Sequence, residues 1–175
     1  MKFRSYMLCT VIGCVMISSG FLLERLKVSI NFILEKSINE PNYVNWSDAE
    51  RSVFIHSKKR DLPYDYFHSH LDFDFLFLLS PSQLKQAKWV VTIFGLVFFA
   101  FLNALALMVF YPVNEGLKWI LFLYSIILFL SCFFYFVGYL PGLADGSYQV
   151  TRKILNAGQS GIPAVLVYFV KKFTR

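Results

Sequence analysis

Cys132 is a nucleophile by type, and His56, His68 and His70 are bases or metal ligands by type. A thiol becomes a working nucleophile when a base lies within hydrogen-bond reach. Cys132 falls in a charge-free stretch from Trp119 to Ala144, and none of the histidines falls in any such stretch. "HSH" at His68–His70 could join Asp65 or Asp72 around a cation. Two histidines at i, i+2 fall short of the three or four spaced ligands of a zinc site. Cys9 and Cys14 are embedded in apolar sequence like Cys132, so the cysteines offer neither a disulfide framework nor metal spacing. Dinucleotide-binding, phosphate-loop and metalloprotease patterns are missing, as are internal repeats. The expectation is a protein with no catalytic residue, no cofactor and no metal, and therefore not an enzyme.

What remains is polar chemistry inside apolar sequence. Trp89 to Tyr111 contains no Asp, Glu, Lys, Arg or His, yet Thr92, Gly95, Phe99, Asn103 and Ala106 step by three or four along one helical face. Tyr124, Ser131, Tyr135 and Gly138 make a similar stripe further on. Small and polar stripes of this kind join helices to one another. A third set lies in "YQVTRKILNAGQSGIPAVLVYFVKK", where Ala157/Gly161 and Ser160/Ala164 are two small-xxx-small pairs beside Gln159. Asn103, Ala157, Gln159, Ser160, Gly161 and Ala164 are the candidate helix-packing or oligomer contacts.

The elements that must position these residues follow from composition. The chain has 175 residues, 57% hydrophobic and 16% charged, where a soluble domain carries about 25% charged residues. Uncharged apolar runs of 18 or more residues are read as transmembrane helices. The expected fold is an all-α integral membrane protein, one membrane domain over 1–175. Its four spans are placed at about 5–23, 89–111, 119–140 and 154–170. "VIGC" at Val11–Cys14 imitates a lipoprotein cleavage box, but the apolar stretch before it is short and the apolar sequence after it continues, so the first span is expected to be retained. Leu23, Leu26, Ile30 and Ile33 carry the first helix beyond the membrane, until Asn39-Glu40-Pro41 stops it.

The fourth span is the least obvious. Ile154 to Val170 is about 25 Å as a helix, the lower limit for crossing, and Pro163 loosens its middle. Flanking charge argues that it crosses. Lys and Arg prefer the cytoplasmic side. Lys2 and Arg4 put the N-terminus there, and a fourth crossing brings Lys171, Lys172 and Arg175 to the same side. The net charge of +6 is read as topology, and no nucleic-acid partner is expected.

The extracytoplasmic loop, about 39–80, is the sizeable polar region. "SDAE" at Ser47–Glu50 is a capping box that predicts a short helix to about Lys59. "SPSQ" at Ser80–Gln83 predicts the start of span two. Between them Leu71, Phe73, Phe75 and Phe77 alternate with Asp72, Asp74, Leu76 and Leu78, half a strand signal and half an interfacial one. These three phenylalanines are the candidate partner contacts of the loop, which is expected to lie on the bilayer surface or against a partner.

The layout resembles that of the small four-span immunity proteins that protect bacteria against pore-forming toxins. The resemblance covers layout alone and brings no motif or site residue with it. The missing catalytic set, the polar helix edges, the small size and the basic flanks lead to the same expectation: a non-enzymatic, multi-pass protein of the bacterial inner membrane, with both termini cytoplasmic, acting through protein–protein contacts. Immunity, phage exclusion or defence, and secretion-system accessory roles fit that description. Its partners are the lipid bilayer and either a membrane protein or further copies of itself. The alternative is a homo-oligomeric channel or sensor, self-associated through the small-residue edge of span four.

Overall fold

The computed structural model describes residues 2–40, 42–60, 73–140 and 144–173, and no strand occurs among them. Six α-helices follow in order: α1 (Lys2–Ile38), α2 (Asp48–Arg60), α3 (Pro81–Met108), α4 (Val113–Val137), α5 (Ala144–Gly158) and α6 (Ile162–Phe173). Short 3-10 turns occupy Tyr43–Asn45 and Asp74–Leu78. Residues 71 and 72 of the expected strand-like alternation lie outside the described residues, and its remainder is the second of these turns. Among the described residues, three helices are long and apolar enough to cross a membrane: residues 5–38 of α1, then α3 and α4. The chain divides into two compact units, 22–93 and a second comprising 1–21 with 94–175.

Unit 22–93 is built where polar sequence meets the extension of α1. The three-to-four spacing noted in the sequence puts Ile30 and Ile33 on one face. They are buried with Tyr43, Ile55, Leu76, Phe77 and Leu84 in a single core. Both capping boxes form. The Ser47 N–H donates to Glu50 Oε2 at 2.7 Å while the Glu50 N–H donates to Ser47 Oγ at 3.4 Å. At the start of α3 the Ser80 N–H donates to Gln83 Oε1 at 2.8 Å, and Gln83 N–H returns to Ser80 Oγ at 3.4 Å. Each box satisfies donors that a helix start otherwise leaves open.

The connecting turns are held by Arg51. Its guanidinium donates to the carbonyls of Tyr43 at 3.1 Å, Val44 at 2.7 Å and Leu78 at 3.1 Å, and lies over the Tyr43 ring. A planar fork with five N–H groups can bind three carbonyls at once, which a lysine cannot imitate. The segment is thus folded around its own core, joined to α1 and the first turns of α3.

In the second unit α1 meets α3 through Ile12, Met16, Phe99 and Leu102. Leu96, Ala104 and Leu107 of α3 pack with Ile120 and Tyr124 of α4 and Val167 of α6. α3 ends at Met108, three residues before the sequence reading placed its end. The Phe110 and Tyr111 N–H groups fold back onto the Leu107 carbonyl, and Pro112 then starts α4. α5 runs antiparallel to α4. A Cβ on Gly138 would stand 3.4 Å from Ser147 Cβ, and one on Gly158 would stand 3.2 Å from Ile127 Cγ2. Those contacts are eleven residues apart on each helix, about 16 Å of rise. Buried Ser147, Thr151 and Gly158 form the seam, small enough for a close approach of two helices.

Candidate functional site: a stapled helix break

The segment 154–170, expected as one crossing helix, is two helices with a break at 159–161. The cause is local. Pro163 has no N–H to give and its ring clashes with the carbonyl four residues back, at Gln159; Gly158 and Gly161 lower the cost of leaving the helix on either side. The sequence reading placed the weak point at Pro163 itself, whereas the chain breaks one turn earlier and Pro163 sits in the first turn of α6, where its missing N–H costs nothing. α5 has 15 residues and α6 has 12, so each alone is shorter than a hydrocarbon core of roughly 30 Å.

A break frees backbone groups, and in apolar surroundings each must find a partner. Here they do. Gln159 N–H donates to the carbonyls of Leu155 at 3.0 Å and Asn156 at 3.1 Å. The Ala157 carbonyl accepts from Ser160 Oγ at 2.6 Å, and the Gly158 carbonyl from the Tyr124 hydroxyl at 2.6 Å. At the start of α6, Ile162 N–H donates to Ser160 Oγ at 3.2 Å and Val165 N–H to the Gly161 carbonyl at 3.2 Å.

Asn103 bonds two more, one carbonyl and one N–H. Its side chain is fully buried. Nδ2 reaches the Ser160 carbonyl at 2.8 Å, the Phe99 carbonyl at 2.7 Å and the Tyr124 hydroxyl oxygen at 3.1 Å. Oδ1 accepts from the Ala164 N–H at 3.0 Å. That last bond sets the amide orientation, because the flipped amide would turn its NH2 toward another N–H. One asparagine therefore serves a carbonyl within the break and an N–H beyond it.

The six candidate contacts converge here. Asn103 is the centre, and Ser160 and Ala164 are bonded to it. Ala157 lies in the last turn of α5, and the buried Gln159 is the first residue of the break. Gly161 has one side-chain neighbour within reach of an added Cβ, Met16 Sδ at 3.9 Å. It borders an apolar groove of about 390 Å³ between α1, α3 and α6, lined by Gly13, Met16, Ala106, Gly161 and Ala164 among others. Tyr124 belongs to the sequence stripe but was not singled out as a contact. Gly158 and the Ser147–Thr151–Gly158 seam were missed, although small residues at steps of four and seven, one helical face, were visible.

Beyond the break α6 continues along α4. The Tyr111 hydroxyl donates to the Tyr168 carbonyl at 3.3 Å, and Lys171 pairs with Glu115 while lying over the Tyr111 ring. From Ser147 at Gly138 to Lys171 at Glu115, α5 and α6 together traverse the length of α4.

The loop candidates are separated by the fold. Phe77 is 2% exposed, in the core and edge-on to His56, while Phe75 is 58% exposed and Phe73 packs partly against the core. His68, His70, Asp65 and Asp72 lie outside the described residues. Among the described residues, no three His, Cys, Asp or Glu side chains come together to hold a metal. Cys9, Cys14 and Cys132 are free thiols. The knot at Asn103 contains amides, hydroxyls and carbonyls but no acid or base, so its chemistry is hydrogen bonding. No protein-family model, curated protein or solved structure matches the chain.

Proposed function

We propose that this chain is a four-crossing, non-enzymatic protein of a bacterial inner membrane that acts by contact with a protein partner. The observation that carries the reading is the run of α5 and α6 along α4 from Gly138 to Glu115, with the backbone groups at the break bonded to Asn103, Tyr124 and Ser160. A discontinuous helix is tolerated at membrane depth when its freed groups are buried and paired in this way. Such a fourth crossing brings Lys171 and Lys172 to the side of Lys2 and Arg4, as the charge rule favours. Unit 22–93 is then extracytoplasmic. Its Phe75, Leu78 and Val44 are exposed, and Arg51 bonds the carbonyls of Val44 and Leu78, bringing those two side by side. This apolar surface is the natural contact for a partner. Immunity, phage exclusion and secretion-system support are the roles within this class.

Protease protection of epitope tags at both termini, in right-side-out and inverted vesicles, tests the topology. Four crossings put both tags on the cytoplasmic face; tags on opposite faces overturn the reading. Native mass spectrometry of the complex recovered in mild detergent tests the partner. A second polypeptide in fixed ratio supports contact with a partner, and a clean multiple of 20.3 kDa supports the alternative, a homo-oligomeric channel or sensor. The observation favouring that alternative is the groove bordered by Gly13, Ala106, Gly161 and Ala164, whose small residues would admit a helix of another copy.

A further inference from the structure

α5 has a second face that the helix break does not use. Gln149, Arg152, Lys153 and Asn156 fall at i, i+3, i+4 and i+7, one stripe of a helix. The first three of them are exposed. Buried Ser147, Thr151 and Gly158 hold the other side against α4, so the stripe faces outward.

Its depth makes it unusual. α4 carries no charged residue from Trp119 to its end at Val137, and α5 lays two cations beside that stretch. With Ser147 level with Gly138, Arg152 lies about 7.5 Å further along α4, toward Ile127. The same end of α4 carries Tyr135 and Tyr139, bonded hydroxyl to hydroxyl at 3.2 Å, and α5 adds the exposed Tyr148. Tyrosines in such a girdle mark the headgroup zone. Helical side chains tilt toward the N-terminus of their helix, and the N-terminus of α5 is at this girdle. Arg152 and Lys153 are therefore aimed back toward the headgroups along their own stems, the geometry of snorkelling side chains.

We propose that Gln149, Arg152, Lys153 and Asn156 form a binding site for the phosphate of an anionic phospholipid in the leaflet at the Gly138 end of α4. The guanidinium fork and the ammonium take the phosphate oxygens, and the exposed Gln149 amide, nearest the girdle, offers N–H donors beside them, with Asn156 at the inner end of the stripe. The site rests on the reading that places α5 within the bilayer. It would fix the depth of α5 by an ionic contact at the surface, complementing the hydrogen-bonded knot at the other end of the same helix.

The test is native mass spectrometry of the full chain in mild detergent with short-chain phosphatidylglycerol, matched phosphatidylcholine, or inorganic phosphate. Phosphatidylglycerol adducts should exceed phosphatidylcholine adducts about thirtyfold, the scale set by two cations acting on an anionic lipid, and fall by a similar factor in Arg152→Gln/Lys153→Gln. Arg152→Lys/Lys153→Arg should retain them, which separates lost charge from lost fold. Equal adducts in wild type and the Gln variant overturn the site, and so does displacement of the lipid by inorganic phosphate. A polypeptide that leaves with the two charges while lipid adducts persist would assign the stripe to a protein partner instead. Tag protection reports the crossing of α5 and α6 separately, so a failure of the topology is distinguishable from a failure of lipid binding.

Discussion

The Ala164 N–H donates to Asn103 Oδ1 at 3.0 Å across 61 residues of sequence. This bond joins the start of α6 to the last third of α3. The opposite end of the same amide holds the Ser160 carbonyl, so Asn103 spans the break in both directions. Removing it should do more than remove one contact. Asn103→Leu leaves a buried N–H and a buried carbonyl without partners, at about 1–3 kcal/mol each. We expect a fall of several degrees in the detergent unfolding midpoint. Asn103→Asp should fall similarly, since a carboxylate cannot donate to Ser160. Wild-type stability in both variants would mean that the knot does not hold the break.

Tyr124→Phe isolates one arm of the knot. The Gly158 carbonyl loses its hydroxyl donor, and Asn103 loses one acceptor. The expected cost is about 1–3 kcal/mol, because a buried acceptor is left unmatched. Tyr111→Phe, whose bond to the Tyr168 carbonyl is longer and part-buried, should cost less. Thermal unfolding of the two variants side by side gives the ranking, and the reverse order would contradict it.

Thr151 offers a change in the stabilising direction. Its Oγ1 is buried in the α4/α5 seam with no hydrogen-bond partner among the described residues. Thr151→Val keeps the branched shape and deletes the orphan hydroxyl, a gain of roughly 1 kcal/mol. A lower unfolding midpoint in the variant would show that the hydroxyl is serving an acceptor.

Phe77→Ser and Phe75→Ser should separate folding from recognition. Truncating a buried phenylalanine costs about 3–5 kcal/mol, so Phe77→Ser should open unit 22–93 to hydrogen exchange. Phe75→Ser should leave exchange unchanged and weaken partner recovery. Arg51→Lys should loosen the turns at Tyr43–Val44 and Leu78 by losing the guanidinium fork. Full partner recovery with Phe75→Ser would move the contact away from this surface.

Acid should weaken the start of α2. The Ser47 N–H, and then its hydroxyl, hold the Glu50 carboxyl below its usual range. A folded value below the unfolded one means the contribution is present above the unfolded carboxylate range, about 4.3, and is lost as pH falls through the folded value. Amide exchange in α2 should therefore rise relative to the rest of the unit on acidification. Glu50→Gln should remove that dependence, and identical profiles for the two proteins would sink the assignment.

Much of the layout was readable from local pattern. Charge-free runs located α3 and α4, and the steps Leu26–Ile30–Ile33 carried α1 outward. The two capping boxes marked the starts of α2 and α3 because their chemistry is complete within four residues. The polar stripe through Asn103 was legible as a packing face, but its partner was not. Nothing near Asn103 in sequence says that it will meet Ser160 and Ala164. The phenylalanines failed differently: their alternation suggested three equivalent contacts, whereas a 3-10 turn repeats every three residues and buries Phe77 while exposing Phe75.

What the sequence by itself determined about this protein is therefore what short-range physics controls: the apolar helices, their caps and stops, and the weakness near Pro163. Only the tertiary structure decided where that weakness becomes a break and how its backbone groups are satisfied. Those groups are bonded by Asn103 on α3 and Tyr124 on α4, and whether a helix can afford to open depends on donors and acceptors that folding brings from far along the chain.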